Sequence, residues 1–178
     1  YIGLSNFAQK DMEVFDKLVG VDTQQGLYNM FERNAASYHN ITLQYKTEDE
    51  MLPNVHRLGQ GFLPYSPMFQ GLLAGRFTRN HTFSAHDIRN ENPKFSGELY
   101  QTYYDGYEKL KKLADEMGHP TNEIAVNWLR QNPDVTTIIG GASSVEQLEQ
   151  NVSALKWDID DEYMKKINEI IEPYREMR

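Results

Sequence analysis

The stretch Gly61-Phe62-Leu63-Pro64-Tyr65-Ser66-Pro67-Met68-Phe69-Gln70-Gly71-Leu72-Leu73-Ala74-Gly75-Arg76 decides how this chain is read. The apolar run over residues 62–65 predicts a short buried strand. It enters a Pro- and Gly-rich loop that closes on a cation. Further along, Thr136-Thr137-Ile138-Ile139-Gly140-Gly141-Ala142-Ser143-Ser144-Val145-Glu146-Gln147-Leu148-Glu149-Gln150-Asn151 repeats the logic as strand, glycine pair, serine cap and helix. Two strand-to-loop units with bare backbone at their glycines can hold one phosphate ligand between them.

Outward from these stretches, strands alternate with helices. Strands are predicted over residues 2–5, 23–27, 62–65 and 135–139. Helices are predicted over 10–18, from Met51 to Leu58, and over 99–117, 122–131 and 160–172, with one more opened by Ser144. Pro53 is tolerable in a first helical turn, and Gly118 followed by Pro120 marks a helix end. Ser144 is placed to cap its helix, with Gln147 at the capping-box position. Val145, Leu148, Val152 and Leu155 of that helix recur at core spacing. Residues 34–47 form a long polar stretch, and residues 67–97 a long loop. The tyrosines Tyr100, Tyr103, Tyr104 and Tyr107 read as wall packing. The alternation means a parallel α/β sheet in one domain, residues 1–178, either a small open sheet or half of a barrel.

Composition narrows the function classes. The chain has 178 residues, 39% hydrophobic and 25% charged, enough for a real core. A net charge of -8 argues against a nucleic-acid partner. With no cysteine there is no thiol chemistry, which suits a reducing cytoplasm. No apolar run approaches a membrane span, so no membrane partner is expected. The five histidines lack metal spacing, and the acidic run at Asp158, Asp160, Asp161 and Glu162 reads as a helix N-terminus. The chain opens inside a strand, without an initiator Met, which predicts further segments upstream of Tyr1.

Ser5-Asn6-Phe7, Gln25-Gly26-Leu27-Tyr28-Asn29, Pro64-Tyr65-Ser66-Pro67 with Gly71-Leu72-Leu73-Ala74-Gly75-Arg76, and Gly141-Ala142-Ser143-Ser144 with Gln147 and Asn151 resemble the second half of the aldo-keto reductases. The likeness covers nearly the whole chain. It is nearest the branch with bacterial aldo/keto reductases and potassium-channel β subunits. The resemblance implies a (β/α)8 TIM barrel of which this chain supplies strands five to eight, the C-terminal half. It implies a nicotinamide cofactor, NADPH with NADH as the alternative, lying across the rim. Ser5, Asn6 and Gln25 match positions that hydrogen-bond the carboxamide, and Tyr65 the aromatic under the nicotinamide ring. Ser66, Pro67, Met68, Gly71 and Arg76 match the pyrophosphate loop. Gly141, Ser143, Gln147, Gln150 and Asn151 match the adenosine clamp. Ser143 stands where many NADPH users carry a cation, and Gln150 where the family often has Glu.

The residue chemistry agrees with those roles. Ser, Asn and Gln offer the donors and acceptors a carboxamide needs, and a flat aromatic suits stacking. Taken singly, Ser5-Asn6 also reads as a helix cap, Gln25 as a turn residue, Tyr65 as core and Arg76 as a surface cation. The family's catalytic Asp, Tyr, Lys and His lie on strands that would precede Tyr1, so no catalytic residue is assigned here and a catalytic N-terminal half is expected upstream. The implied function is reduction of aldehydes or ketones, with a small carbonyl compound as partner. A nucleotide-sensing subunit with little turnover is the rival. An isolated half barrel would expose strand edges that invite a homo-oligomer.

Overall fold

A computed structural model describes residues 1–177. In chain order the elements are β1 (Gly3–Ser5), α1 (Gln9–Val19), β2 (Thr23–Leu27), a hairpin of β3 (Ser37–Tyr38) and β4 (Ile41–Thr42), α2 (Leu52–Leu58), β5 (Gly61–Tyr65), α3 (Gly97–Met117), α4 (Thr121–Arg130), α5 (Val145–Ser153) and α6 (Asp161–Ile171). The main sheet is parallel in the order β1-β2-β5, with Thr23 opposite both Gly3 and Gly61. Each successive strand is added on the same side of the last. That sequential order is the order of a barrel arc, whereas a doubly wound sheet reverses direction at a switch point.

The fourth strand is the first correction. Residues 135–139 run parallel beside β5 but form only two isolated bridges, Phe62 to Val135 and Tyr65 to Ile139. Their backbone bonds are Thr136 N–H to the Phe62 carbonyl and Ile139 N–H to the Pro64 carbonyl, both 2.9 Å. The return donors are missing for a chemical reason. Pro64 has no N–H, and the Phe62 N–H goes instead to the Thr136 side-chain hydroxyl at 3.1 Å.

The two long irregular stretches also differ from expectation. Residues 67–97 contain three short 3-10 turns, Phe69–Gly71, Ile88–Glu91 and Pro93–Phe95. This loop buries Phe69, Leu72, Leu73, Phe77 and Phe95. The polar stretch 34–47 folds into the β3–β4 hairpin and buries Asn34 and Tyr45. It then enters α2 through a π-helical turn, Thr47–Met51, with Pro53 in the first turn of α2. Gly26 shows how closely that turn packs: a methyl there would meet the Met51 sulfur at 2.7 Å.

The core lies between the sheet's outer face and α2, α3, α4 and α6. Tyr100, Tyr103 and Tyr107 are buried in it, as the wall-packing reading expects. Phe69 sits at its centre, with ring centroids 4.7 Å from Tyr103, 5.3 Å from Phe95 and 5.7 Å from Phe31. The α5 reading is a second correction. Its core-spaced Val145, Leu148, Val152 and Leu155 are exposed, and α5 buries no residue. The periodicity is genuine, but nothing among the described residues covers that face. The outer face of α1 is similarly bare, with Val14 and Leu18 exposed.

Candidate functional site

The strand ends and the loops after them converge on a cleft of about 710 Å3. That volume falls in the roughly 300–1,000 Å3 range of small-molecule sites. Ten sequence-predicted residues line it: Ser66, Pro67, Met68, Gly71, Arg76, Gly141, Ser143, Gln147, Gln150 and Asn151. The other four, Ser5, Asn6, Gln25 and Tyr65, do not line the cleft. They form a separate hydrogen-bonded cluster along the rim. Ser5 Oγ donates to Gln25 Oε1 at 3.2 Å, the Asn6 N–H to the Gln25 carbonyl at 3.2 Å, and the Tyr65 hydroxyl to Asn6 Oδ1 at 2.9 Å. Tyr38 joins the two groups. It lines the cleft, and its ring stands edge-on to Tyr65 with centroids 5.2 Å apart.

The first wall is the loop after β5. Its backbone is held in an uncommon conformation, with φ of 60° at Ser66, 45° at Phe69, 51° at Gln70, 104° at Gly71 and 68° at Gly75. Glycine takes such a conformation freely, but Ser66, Phe69 and Gln70 hold it only where the surroundings enforce it. Here the enforcement is visible. Asn29 Nδ2 donates to the Ser66 carbonyl at 2.9 Å and to Glu32 Oε2 at 2.7 Å, and Asn29 Oδ1 accepts from the Phe31 and Glu32 N–H groups. Glu32 in turn meets Lys94 Nζ at 2.6 Å, and Lys94 also donates to the Ser37 carbonyl at 2.8 Å. Both charges are almost fully buried, at 0% and 3% side-chain exposure. Phe69, Leu72 and Leu73 anchor the same loop from below.

The second wall is the turn into α5. Ser144 Oγ accepts the Gln147 N–H at 3.3 Å, as a cap should. Gln147 Oε1 does not close a capping box on Ser144; it accepts from the N–H and hydroxyl of Ser143, at 2.8 and 3.0 Å. Asn151 Nδ2 reaches back to the Gly141 carbonyl at 3.5 Å. A methyl added at Gly141 would meet no atom within 4 Å, so the bare backbone there leaves room in the cleft.

Several lining residues were not legible in the sequence: Tyr38, Gln70, Asn122 and Arg89. Arg89 is committed to the loop itself. It pairs with Asp87 at 2.6 and 2.8 Å, donates to the Gln70 carbonyl at 2.9 Å and lies over Phe77 and Phe83. The Arg76 side chain, by contrast, is exposed and makes no hydrogen bond or ion pair among the described residues. Gln70 has both side-chain amide atoms buried without a partner. In the tail, Glu172 pairs with Arg33 and Arg175 with Glu48. Arg178 lies outside the described residues.

Electrostatically the rim is a set of neutral phenols. Burial, with Tyr45 beside it, pushes the Tyr65 hydroxyl far above the usual tyrosine value, and burial likewise raises Tyr45 and Tyr38. Tyr45 and Tyr65 act as hydrogen-bond donors, both to Asn6 Oδ1. Among the described residues, no three His, Cys, Asp or Glu side chains converge as metal ligands, and no helix is long and apolar enough to cross a membrane.

A sequential parallel βα array with a cleft at the carboxyl ends of its strands defines a barrel-type α/β protein. Comparison with known proteins specifies it. Residues 1–172 match the Aldo/keto reductase family, and the chain belongs to that family. It is 31% identical over 172 residues to "Aldo-keto reductase YhdN" of Bacillus subtilis, covering 96% of this chain and 48% of that protein. It is 31% identical over 140 residues to a "Probable voltage-gated potassium channel subunit beta" of Arabidopsis thaliana, covering 78% and 39%. Among solved structures it superposes on the glycerol dehydrogenase AKR11B4 from Gluconobacter oxydans with TM-score 0.82 and 27% identity, over 97% of this chain and 49% of that one. The chain thus spans about half the length of the relatives it matches, and its four βα units are half of a (β/α)8 barrel.

Proposed function

We propose that the chain is the cofactor-binding half of an NAD(P)H-dependent reductase of aldehydes or ketones. The carrying observation is the single cleft that draws residues 66–76 and 141–151 together. The residues present fit a dinucleotide. Arg76 and the free N–H groups at the start of α5 suit its phosphates. Ser143, Gln147, Gln150 and Asn151 supply hydroxyls and amides for the adenosine end. Ser5, Asn6 and Gln25 supply them for a carboxamide, with the Tyr65 ring beside them. When bound, the cofactor would supply the hydride. The chain's own residues bind and orient it. The proton donor is expected on the family's first four strands. NADPH is the preferred coenzyme in this reading, with Arg76 the free cation for its extra phosphate or for the pyrophosphate.

A sensing role with little turnover is the second reading, favoured by the similarity to the channel β subunit. Titration of the intact protein with NADPH and NADH, followed by assay against a panel of aldehydes and ketones, separates the two. Binding with carbonyl turnover supports the reductase. Tight binding with negligible turnover supports the sensor. No binding of either coenzyme rejects both.

A further inference from the structure

The segment between β2 and α2 reads in sequence as a polar insertion on the rim, with nothing to mark one of its tyrosines, yet it delivers a buried phenol there. Tyr45 is 4% exposed. Its hydroxyl accepts the Leu27 backbone N–H at 3.1 Å and lies 2.7 Å from Asn6 Oδ1. A phenol has one proton, and its oxygen already serves as an acceptor, so the proton goes to Asn6. The Tyr65 hydroxyl donates to the same Oδ1 at 2.9 Å. Two donors thus saturate the two lone pairs of one amide oxygen.

The other end of that amide is free: Asn6 Nδ2 has no partner among the described residues, and Asn6 is exposed. Turning the amide over would set an N–H donor against Tyr45 and take from its buried proton the acceptor it now has, which costs about 1–3 kcal/mol for an unsatisfied group. The Asn6 backbone is fixed as well, at φ 62° with its N–H on the Gln25 carbonyl at 3.2 Å. Gln25 is oriented in the same sense, because its Oε1 accepts the Ser5 hydroxyl at 3.2 Å and leaves Nε2 as the outward group.

We infer that Tyr45 is a positioning residue: by fixing the Asn6 amide it presents an N–H donor to the carbonyl oxygen of a primary carboxamide, the group carried by a nicotinamide ring. This rests on the nicotinamide reading above and deepens it. Without the Tyr45 proton only the Tyr65 hydroxyl holds Oδ1, so the Asn6 amide turns more readily, and in its turned state the rim offers an acceptor where the ligand needs a donor. The phosphate and adenosine contacts, made by other loops, are untouched.

The test compares two ligands on each variant: the reduced dinucleotide, and the ADP-ribose that matches it in ribose phosphate but lacks nicotinamide. Tyr45→Phe is expected to weaken the dinucleotide roughly three- to tenfold, the worth of one hydrogen bond, and to leave ADP-ribose unchanged. Asn6→Asp keeps an oxygen that receives both phenols and replaces the outward donor with a charged acceptor at an exposed position. It is expected to lose the same discrimination with an unchanged melting temperature, so the test survives if Tyr45→Phe fails to fold. Equal weakening of both ligands by Tyr45→Phe, or an unchanged ligand ratio in Asn6→Asp, overturns the inference. If the unmodified protein binds neither ligand, the nicotinamide reading falls and takes this with it. If it binds both and only the ratio fails to move, the positioning role alone is rejected.

Discussion

The two walls of the cleft hold equivalent positions at the ends of neighbouring strands, yet they are built differently. The 66–76 loop stands on a core. Phe69, Leu72 and Leu73 have no exposed surface, and a buried ion pair reaches its backbone through Asn29. The α5 wall has a good cap and no buried residue of its own. One wall is preorganised by the chain itself. The other is shaped locally and offers an apolar face that a further element could cover. Each change below sharpens or breaks that contrast, read by urea unfolding and, where stated, by ligand titration.

The largest effect is expected from Phe69→Ala. It removes the centre of an aromatic cluster and should destabilise by about 3–5 kcal/mol. Leu148→Ala on the bare face of α5 should change stability by less than about 0.5 kcal/mol. Equal losses would mean that the two walls share one core. Glu32→Gln comes next, because it leaves Lys94 buried beside a neutral partner, and a loss of about 3 kcal/mol is expected. It should also loosen the Ser66 turn, so cleft ligands should bind more weakly in proportion.

Gly71→Ala should cost about 1–3 kcal/mol. Its φ is 104°, and the new methyl would lie 3.2 Å from the Phe77 ring. Gly141→Ala on the other wall should be nearly neutral for stability while narrowing the cleft. Ser144→Ala should cost about 1 kcal/mol, the usual worth of a cap. Acid titration gives the smallest effect. The Arg89 guanidinium holds the Asp87 carboxyl below its ordinary value of 3.8. The folded value is depressed, so this contribution is complete above about pH 3.8 and is lost as pH falls through the lower folded value. Asp87→Asn should flatten that part of the acid-unfolding curve.

The wall that local sequence specifies is the one that was easiest to read. Ser144 before an apolar-periodic helix predicts a cap, and the cap is there. The apolar run over residues 62–65 predicts a buried strand, and β5 is there. The local signal fails where the structure is made by distant contacts. Lys94 sits in a loop whose sequence carries nothing to mark it as buried, because its partner Glu32 is sixty-two residues away along the chain. Tyr45 and Tyr38 belong to a polar stretch whose hairpin is defined only by what it packs on. The α5 face was misread for the opposite reason: its spacing announces burial, but spacing names no neighbour. Pro64 is visible in the sequence, and its lack of an N–H is one of the two reasons residues 135–139 form only isolated bridges. The other, the Phe62 N–H turned to the Thr136 hydroxyl, is a contact across seventy-four residues.

The central claim is that both walls close on one dinucleotide. Hydrogen–deuterium exchange of the protein with and without the reduced dinucleotide tests it most directly. The account predicts slowed exchange in residues 66–76 and 141–151 together, at the same ligand concentration. Protection of only one wall, or of neither while the ligand is bound elsewhere, would contradict it.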